Sequence, residues 1–365
     1  MNSDSPMLLL GIGTSGCAMA RGVSRAFGEN LRYAMVDTDA TTGADGGPFT
    51  LLGGDRLSGR GTGGDIVAAR LAAEDSIEII DEHLEGVRLA VIVTALGGGT
   101  GGGATLETAK HLASRGIPSI VFATTPFAFE GEERQRNARG VMSMIEEAAN
   151  ATFFTPLDKL VGDEDNMETA MRRAIDTMAT GITLFWRLVE KPGYIRIDTE
   201  RLRHLIAAAG RGRFAAVTVQ GPDRTSEAID RLIRSEMLAT ASAPVNSILC
   251  GVLAGEDLRL SEIGRIADGI RSAFGERLTF DLATVNDEAT FCGRLSVVVM
   301  LFEASLNSEA MPSGVMSSRK PKKAKSPLGI GPVGRGRFNN AEQTIWQGED
   351  LDIPTFIRRN VNLDF

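Results

Sequence analysis

Apolar positions in the first half of the chain alternate between two periods. Met7-Leu10, Leu31-Val36, Leu89-Thr94 and Ile117-Thr124 are short, dense apolar runs of the kind that become buried strands. Between them lie stretches with helical spacing. Gly13 to Phe27 reads as a loop and helix. Ile66 to Leu84 places Ile66, Ala69, Ala73, Ile77 and Ile80 at three- and four-residue steps, and Glu132 to Asn150 is again helical. Strand and helix in strict alternation predict a parallel sheet covered by helices on both faces. Glu168 to Glu190 then forms one long helical pattern, stopped by Pro192-Gly193. Beyond it, Phe214-Val219, Val245-Val252 and Leu295-Phe302 read as strands, with Ser226-Leu238 and Leu260-Phe274 as helices. The fold class expected is α/β: a Rossmann-like nucleotide-binding domain on a parallel sheet, a long central helix, a smaller α+β domain and a disordered tail. The boundaries fall at 1–167, 168–192, 193–306, 307–340 and 341–365.

The tail earns its own segments by composition. Met311 to Phe338 is rich in Pro, Gly, Ser and Lys and has no apolar period, the mark of a disordered linker. The chain carries a net charge of −8, yet residues 307–340 hold seven Lys/Arg against Glu309 alone. An acidic body is thus tethered to a basic strip, which would suit anionic lipid or nucleic acid or merely extend a tether. The overall acidity argues against a specific nucleic-acid binder. Cys17, Cys250 and Cys292 are scattered and odd in number, so no disulfide framework follows and a reducing cytoplasm fits. His83, His111 and His204 show no metal-ligand spacing, and no metal site is expected. No signal peptide or membrane span is read.

The chemistry concentrates where strands hand over to helices. Gly97-Gly98-Gly99-Thr100-Gly101-Gly102-Gly103 follows one apolar run and opens a helix. Glycines let backbone N–H groups crowd a ligand, and a helix start adds unpaired donors and the positive dipole end: a phosphate cradle. A second such turn is Gly11-Ile12-Gly13-Thr14-Ser15-Gly16, which satisfies G-x-G-x-x-G. With Asp37 after the next strand it admits a nicotinamide-dependent oxidoreductase. A third cluster, Ser58 to Asp65, includes Gly63. Three phosphate-type loops favour a nucleoside di- or triphosphate gripped from several sides, and no Walker A lysine occurs.

Gly97 to Gly103 closely resembles the tubulin/FtsZ signature loop GGGTG-S/T-G. Thr125 to Arg134 resembles the FtsZ segment P-F-x-F-E-G-x-x-R, Asp158-Lys159-Leu160 its N-D-K-L loop, and Leu258 to Ile270 its D-L-x-L-x-E-V helix. Leu351-Asp352-Ile353-Pro354-Thr355-Phe356-Ile357-Arg358-Arg359 is similar to its terminal peptide L-D-I-P-x-F-L-R. The resemblance implies GTP/GDP, with Mg2+ alongside, held by Gly13, Thr14, Ser15, Gly16, Cys17, Gly63 and Gly97 through Gly102. Glu130 and Arg134 would serve the ribose. It further implies head-to-tail filaments acting in bacterial cell division, cytoplasmic and at the division site. Leu351, Asp352, Ile353, Pro354, Phe356, Ile357 and Arg358 would dock a membrane-tethering protein.

Departures from the pattern qualify the activity. The family's Gly-Asn at the first loop is Cys17-Ala18, the Asn before D-K-L is Leu157, and the base-stacking aromatic becomes Met171. The base-reading Asn/Asp becomes Ile175, with Asp176 one residue away. A site stripped of these polar partners should discriminate guanine less well. The inter-subunit loop N-x-D-F-A-D reads Arg196-Ile197-Asp198-Thr199-Glu200-Arg201, leaving Asp198 and Glu200 as the candidate catalytic acids. Arg201 offers only donors and so cannot act as a base; it could contact a neighbouring γ-phosphate. Slow GTP hydrolysis, or a non-hydrolysing scaffold that co-assembles with a true FtsZ, are the two readings this leaves.

Overall fold

The computed structural model describes residues 5–28, 31–162, 165–191, 193–207, 209–239 and 244–304, together with 345–346 and 349–350. Met1–Ala310 forms one compact unit and Met311–Phe365 a second. In the second, Ile345–Trp346 pairs antiparallel with Glu349–Asp350. The basic linker and the peptide 351–359 lie outside the described residues.

Ten strands of the first unit form one continuous sheet: β1 (Met7–Ile12), β2 (Tyr33–Asp37), β3 (Phe49–Leu51), β4 (Leu89–Ala95), β5 (Ser119–Thr125), β6 (Ala151–Pro156), β7 (Ala209–Gln220), β8 (Val245–Ala254), β9 (Thr279–Asn286) and β10 (Arg294–Ala304). Their order is β3-β2-β1-β4-β5-β6-β7-β10-β8-β9. All neighbours pair parallel except β10, which runs antiparallel to β7 and β8. Among the described residues, β6 and β7 join through two residue pairs, Thr152 with Arg211 and Phe153 with Gly212.

The helices are α1 (Gly13–Phe27), α2 (Gly54–Leu57), α3 (Ile66–Asp75), α4 (Ile77–Asp81), α5 (Gly99–Ser114), α6 (Glu132–Ala148), α7 (Met167–Glu190), α8 (Thr199–Ala207), α9 (Arg224–Ile233), α10 (Glu236–Ala239), α11 (Leu260–Phe274) and α12 (Glu288–Phe291). The expected helix over Ile66 to Leu84 is broken at Ser76, whose hydroxyl is buried and accepts from Gly53 N at 2.8 Å. The expected helix over Ser226 to Leu238 divides likewise into α9 and α10. Strands β3, β6 and β9 and helix α8 carry too weak a pattern to have been expected.

Strand alternation sorts side chains into two cores. Met7 and Leu9, with Leu89, Val91 and Val93, join the cluster under α1 and α7; Leu8, Leu10 and Ile12, with Ala90 and Ile92, join the cluster under α5 and α6. The α7 cluster continues into the second half of the sheet through Leu249, Val298, Met300 and Phe302. There Phe122 stacks on Phe153 at 5.0 Å, and Phe214 meets Phe122 edge-on at 5.0 Å. Such pairs add about 0.5–1.5 kcal/mol each beyond area burial.

One helix of the junction also carries a polar tie. Arg187, on α7, donates to Ala26 O at the end of α1 (2.9 Å) and to Asp287 and Thr290 (both 3.3 Å), and lies over the Phe27 ring. A second buried network joins α9 to α11. Arg224 holds Glu262 with two bonds (2.8 and 2.9 Å) and Asp257 with a third (2.6 Å). The Arg224 guanidinium first, and then the Arg259 N–H and Thr225 hydroxyl, hold the Glu262 carboxyl down at about 2 against the cost of its burial. A carboxyl depressed on folding stabilises the native state above its unfolded pKa of about 4.3, and that contribution is lost as pH falls toward 2. Glu262→Gln should therefore cost about 3 kcal/mol at pH 7 and flatten the fall in stability between about pH 5 and pH 2. Urea unfolding across that pH range checks both.

Candidate nucleotide site

The site is made where two neighbouring parallel strands deliver two helix N-termini to the same edge. β1 runs directly into α1 and, beyond Leu96-Gly97-Gly98, β4 into α5, with Ile12 opposite Thr94 in the register. Thr94 Oγ1, fully buried, lies 3.0 Å from Ile12 O and 3.1 Å from Gly101 O, and its one proton, shared between the two carbonyls, ties the two turns to each other. Gly13 has φ +75°, and a Cβ there would lie 3.3 Å from Gly101 N. A Cβ on Gly101 would lie 2.0 Å from Ala95 O, so no other residue fits. The first-turn amides of both helices therefore open onto common ground, a concentration of donors and positive dipole suited to phosphates.

Hydroxyls bind the surrounding loops to this centre. Thr100 Oγ1 and Thr38 Oγ1 are 2.7 Å apart. Asp37 accepts from Thr14 Oγ1 (2.9 Å), Thr42 Oγ1 (2.7 Å) and Thr38 N (2.7 Å), and is 2% exposed. Its carboxylate is thus committed beneath the loops and offers no open acceptor to a ribose, which removes the support it lent to an oxidoreductase. The third glycine loop arrives through Gly61 N, which donates to Thr38 O (3.0 Å), and Thr62, whose Oγ1 would sit 2.2 Å from a Cβ on Gly99. Gly63 and Gly98 face open space.

The remaining side is closed by the segment after β5. A Cβ on Gly97 would lie 3.4 Å from Arg134 Cβ. Arg134 pairs with Glu130 at 2.7 Å, and Glu130 also accepts from Phe127 N at 2.9 Å. Asn137 Nδ2 reaches Gly64 O (3.3 Å) and Gly97 O (3.5 Å), clasping two glycine loops. Sequence reasoning passed over Asn137, Thr94 and Thr38; the available signal was a lone polar residue at a strand end or one turn beyond Arg134.

The fold brings Gly13, Thr14, Gly97, Gly99, Thr100, Gly101, Glu130 and Arg134 to the same edge of the sheet. Ser15, Gly16 and Gly102 lie in the same first turns. Two expected residues stand apart. Cys17 turns into the core, its Sγ near Gly11 O and Val36 O, and burial, with the Asp37 charge beside it, pushes the thiol up to about 12. Asp176 is exposed and lines a broad cavity of about 460 Å3 with Arg172, Arg173 and Thr177. Beside the cradle is a different, small slot of about 20 Å3 lined by Ser15, Met19, Ala95, Thr124, Leu157, Met171, Ala174 and Ile175.

The loop carrying Asp198 and Glu200 is elsewhere. It is pinned to β9, with Ile195 N donating to Thr284 Oγ1 (3.1 Å) and Thr284 N to Ile195 O (2.8 Å). In the sheet β9 is separated from β4 by β5, β6, β7, β10 and β8. Asp198 Oδ1 accepts from Arg201 N at 2.7 Å, capping α8. Glu200 pairs with Arg203 at 2.9 Å. Arg201 grips Asp281 with two bonds, 2.8 and 2.9 Å. Tyr194 beside them is 87% exposed.

Residues 8–164 match the family model described as Tubulin/FtsZ family, GTPase domain. The chain carries a GTPase domain of the tubulin/FtsZ family. Two similar proteins are both called cell division protein FtsZ. That of Pseudomonas putida is 28% identical, over 78% of this chain and 73% of its own length. That of Pseudomonas aeruginosa is 26% identical, over 97% of this chain and 96% of its own. Among solved structures, an empty FtsZ dimer from M. jannaschii matches with a TM-score of 0.76 at 21% identity, covering 81% of this chain and 87% of that one. CetZ2 from Haloferax volcanii, in a GTPγS-bound protofilament, matches with a TM-score of 0.69 at 21% identity, covering 83% and 94%. The two structures share the fold described above.

Among the described residues no group of three or more His, Cys, Asp or Glu could hold a metal by itself, and no helix is long and apolar enough to cross a membrane. Thr94→Val, which keeps the shape and removes the donor, should cost about 1 kcal/mol by removing the one proton that the Ile12 and Gly101 carbonyls share. It should also weaken nucleotide binding. Urea unfolding and calorimetric titration with GTP check the two effects.

Proposed function

We propose that this protein is a filament-forming, FtsZ-like nucleotide-binding protein of bacterial cell division in which GTP turnover is slow. The loops around Gly13 and Gly101 hold the phosphates, and Glu130 and Arg134 meet the sugar. Mg2+ comes with the nucleotide, held chiefly by phosphate oxygens and water, as this ion commonly is. Subunits stack head to tail, so that the Asp198 loop of one approaches the nucleotide of the next. The body divides at 167 and 192, and the peptide around Leu351 to Arg358 engages a membrane-tethering partner at the cytoplasmic division site. The names of the Pseudomonas relatives and the protofilament of CetZ2 support assembly and division.

The observation that carries slow turnover is the state of the Asp198 loop. Asp198 caps a helix, Glu200 is paired, and an arginine locked onto Asp281 stands where the family has its second acid. None is placed as an unengaged carboxylate to orient water. The same observation favours the second reading, a scaffold that assembles without hydrolysis alongside a true FtsZ.

Phosphate release from GTP, measured against protein concentration together with sedimentation, tests this. Polymer that forms with GTP, with a low release rate per subunit rising above a threshold concentration, is the expected result. Polymer without release selects the scaffold reading, and a strictly monomeric protein with and without GTP overturns both. Arg201→Asp combined with Asp281→Asn, which supplies the acid without a facing like charge, should raise release at least about tenfold, a conservative share of what a positioned acid–base group contributes.

A further inference from the structure

We infer that the nucleotide site recognises phosphate and sugar but not the identity of the base. The inference rests on the reading that the glycine loops bind a nucleotide. The space next to the cradle into which a base could enter is the slot bounded by Ser15 and Ala95 on the cradle side and by Leu157, Met171 and Ile175 opposite. Its far wall is wholly apolar. Leu157 is buried, and Met171 and Ile175 are half-buried against the α7 core.

Telling guanine from adenine takes a group that accepts from guanine's ring N–H and amino group, where adenine offers a bare ring nitrogen. Among side chains a carboxylate or amide does this, and Asp158, Asp37 and Asp176 are each engaged or turned away. Asp158 accepts from Ala128 N at 3.2 Å. Asp37 is sealed beneath Thr14 and Thr42. Asp176 follows Ile175, and one step along a helix turns a side chain by about 100°, which puts it in the cavity with Arg172 and Arg173. What remains are the hydroxyls of Ser15 and Thr124, each able to donate or accept and so indifferent between bases.

The slot's free volume of about 20 Å3 has room for little more than one water. A base therefore enters by displacing side chains, and two of the movable walls, Met19 and Met171, are unbranched thioethers that re-pack readily. Such a surface gains affinity from area and shape, and area differs little among purines. Discrimination of tenfold or more generally requires a buried polar group that the wrong ligand leaves unpaired.

The test is calorimetric titration of the full chain with GTP, ATP and inorganic tripolyphosphate, each with Mg2+. GTP and ATP should bind with dissociation constants within about threefold of each other, and both more tightly than tripolyphosphate. A GTP preference above tenfold overturns base indifference while leaving nucleotide binding intact. Failure of all three ligands to bind the folded protein overturns the nucleotide reading itself, and this inference with it. Ile175→Asp, which places an acceptor on the slot wall, should create a GTP preference of at least tenfold. Met171→Tyr, should the carboxylate prevent folding, should tighten GTP and ATP equally without creating a preference. Unequal tightening by Met171→Tyr counts against the inference.

Discussion

Two helix N-termini meeting at one sheet edge is the constraint from which the rest of the nucleotide face follows. It requires backbones closer than side chains permit, and glycine at 13 and 101 meets that requirement. It also requires that the opposed donors be held apart from one another and aimed outward, and the buried Thr94 hydroxyl does so by bonding a carbonyl from each turn. The threonines at 14, 38, 42 and 100 then extend the same bonding to the next loops, with Asp37 as their common acceptor. A surface dense in N–H groups and poor in competing side chains results, and it is specialised for anions whatever else is attached to them.

The second half of the molecule is coupled to that surface through α1 and α7. α1 begins at the phosphate-facing turn and ends against Arg187, which holds the end of β9 through Asp287. The same core cluster continues across the sheet, with Phe153, Phe214 and Phe302 brought together from β6, β7 and β10. Arg187 thus ties the end of α1 to the end of β9, the strand that carries Asp281 and, through it, the grip on Arg201.

Much of this was legible in the sequence because it depends on local rules. Buried strands announced themselves as apolar runs, α7 by its period and its Pro-Gly stop, and α11 by its helical pattern. The glycine loops stood out because close backbone approach leaves only one residue type. What escaped depends on partners distant in sequence. Arg201 read as an available positive charge, yet Asp281, eighty residues later, claims it. Asp176 read as a neighbour of Ile175, yet helical rotation sends it to another cavity. Asp37 had the spacing of a sugar-binding acid, but three donors bury it. Ser76 divides a helix through a bond to Gly53 that no periodicity reveals. The apolar wall of Leu157, Met171 and Ile175 was visible only as missing polar residues until folding brought the three side chains together.

The short seam between β6 and β7 has a mechanical side. Among the described residues the sheet is six residue pairs wide between β5 and β6 and ten between β7 and β10, but two where its halves join. Twisting one half against the other therefore strains few ladder hydrogen bonds. A subunit built this way is stiff within each half and compliant across one line. Stacked end to end, such subunits would place that compliance at regular intervals, so the curvature of a filament could be stored inside its subunits as well as between them.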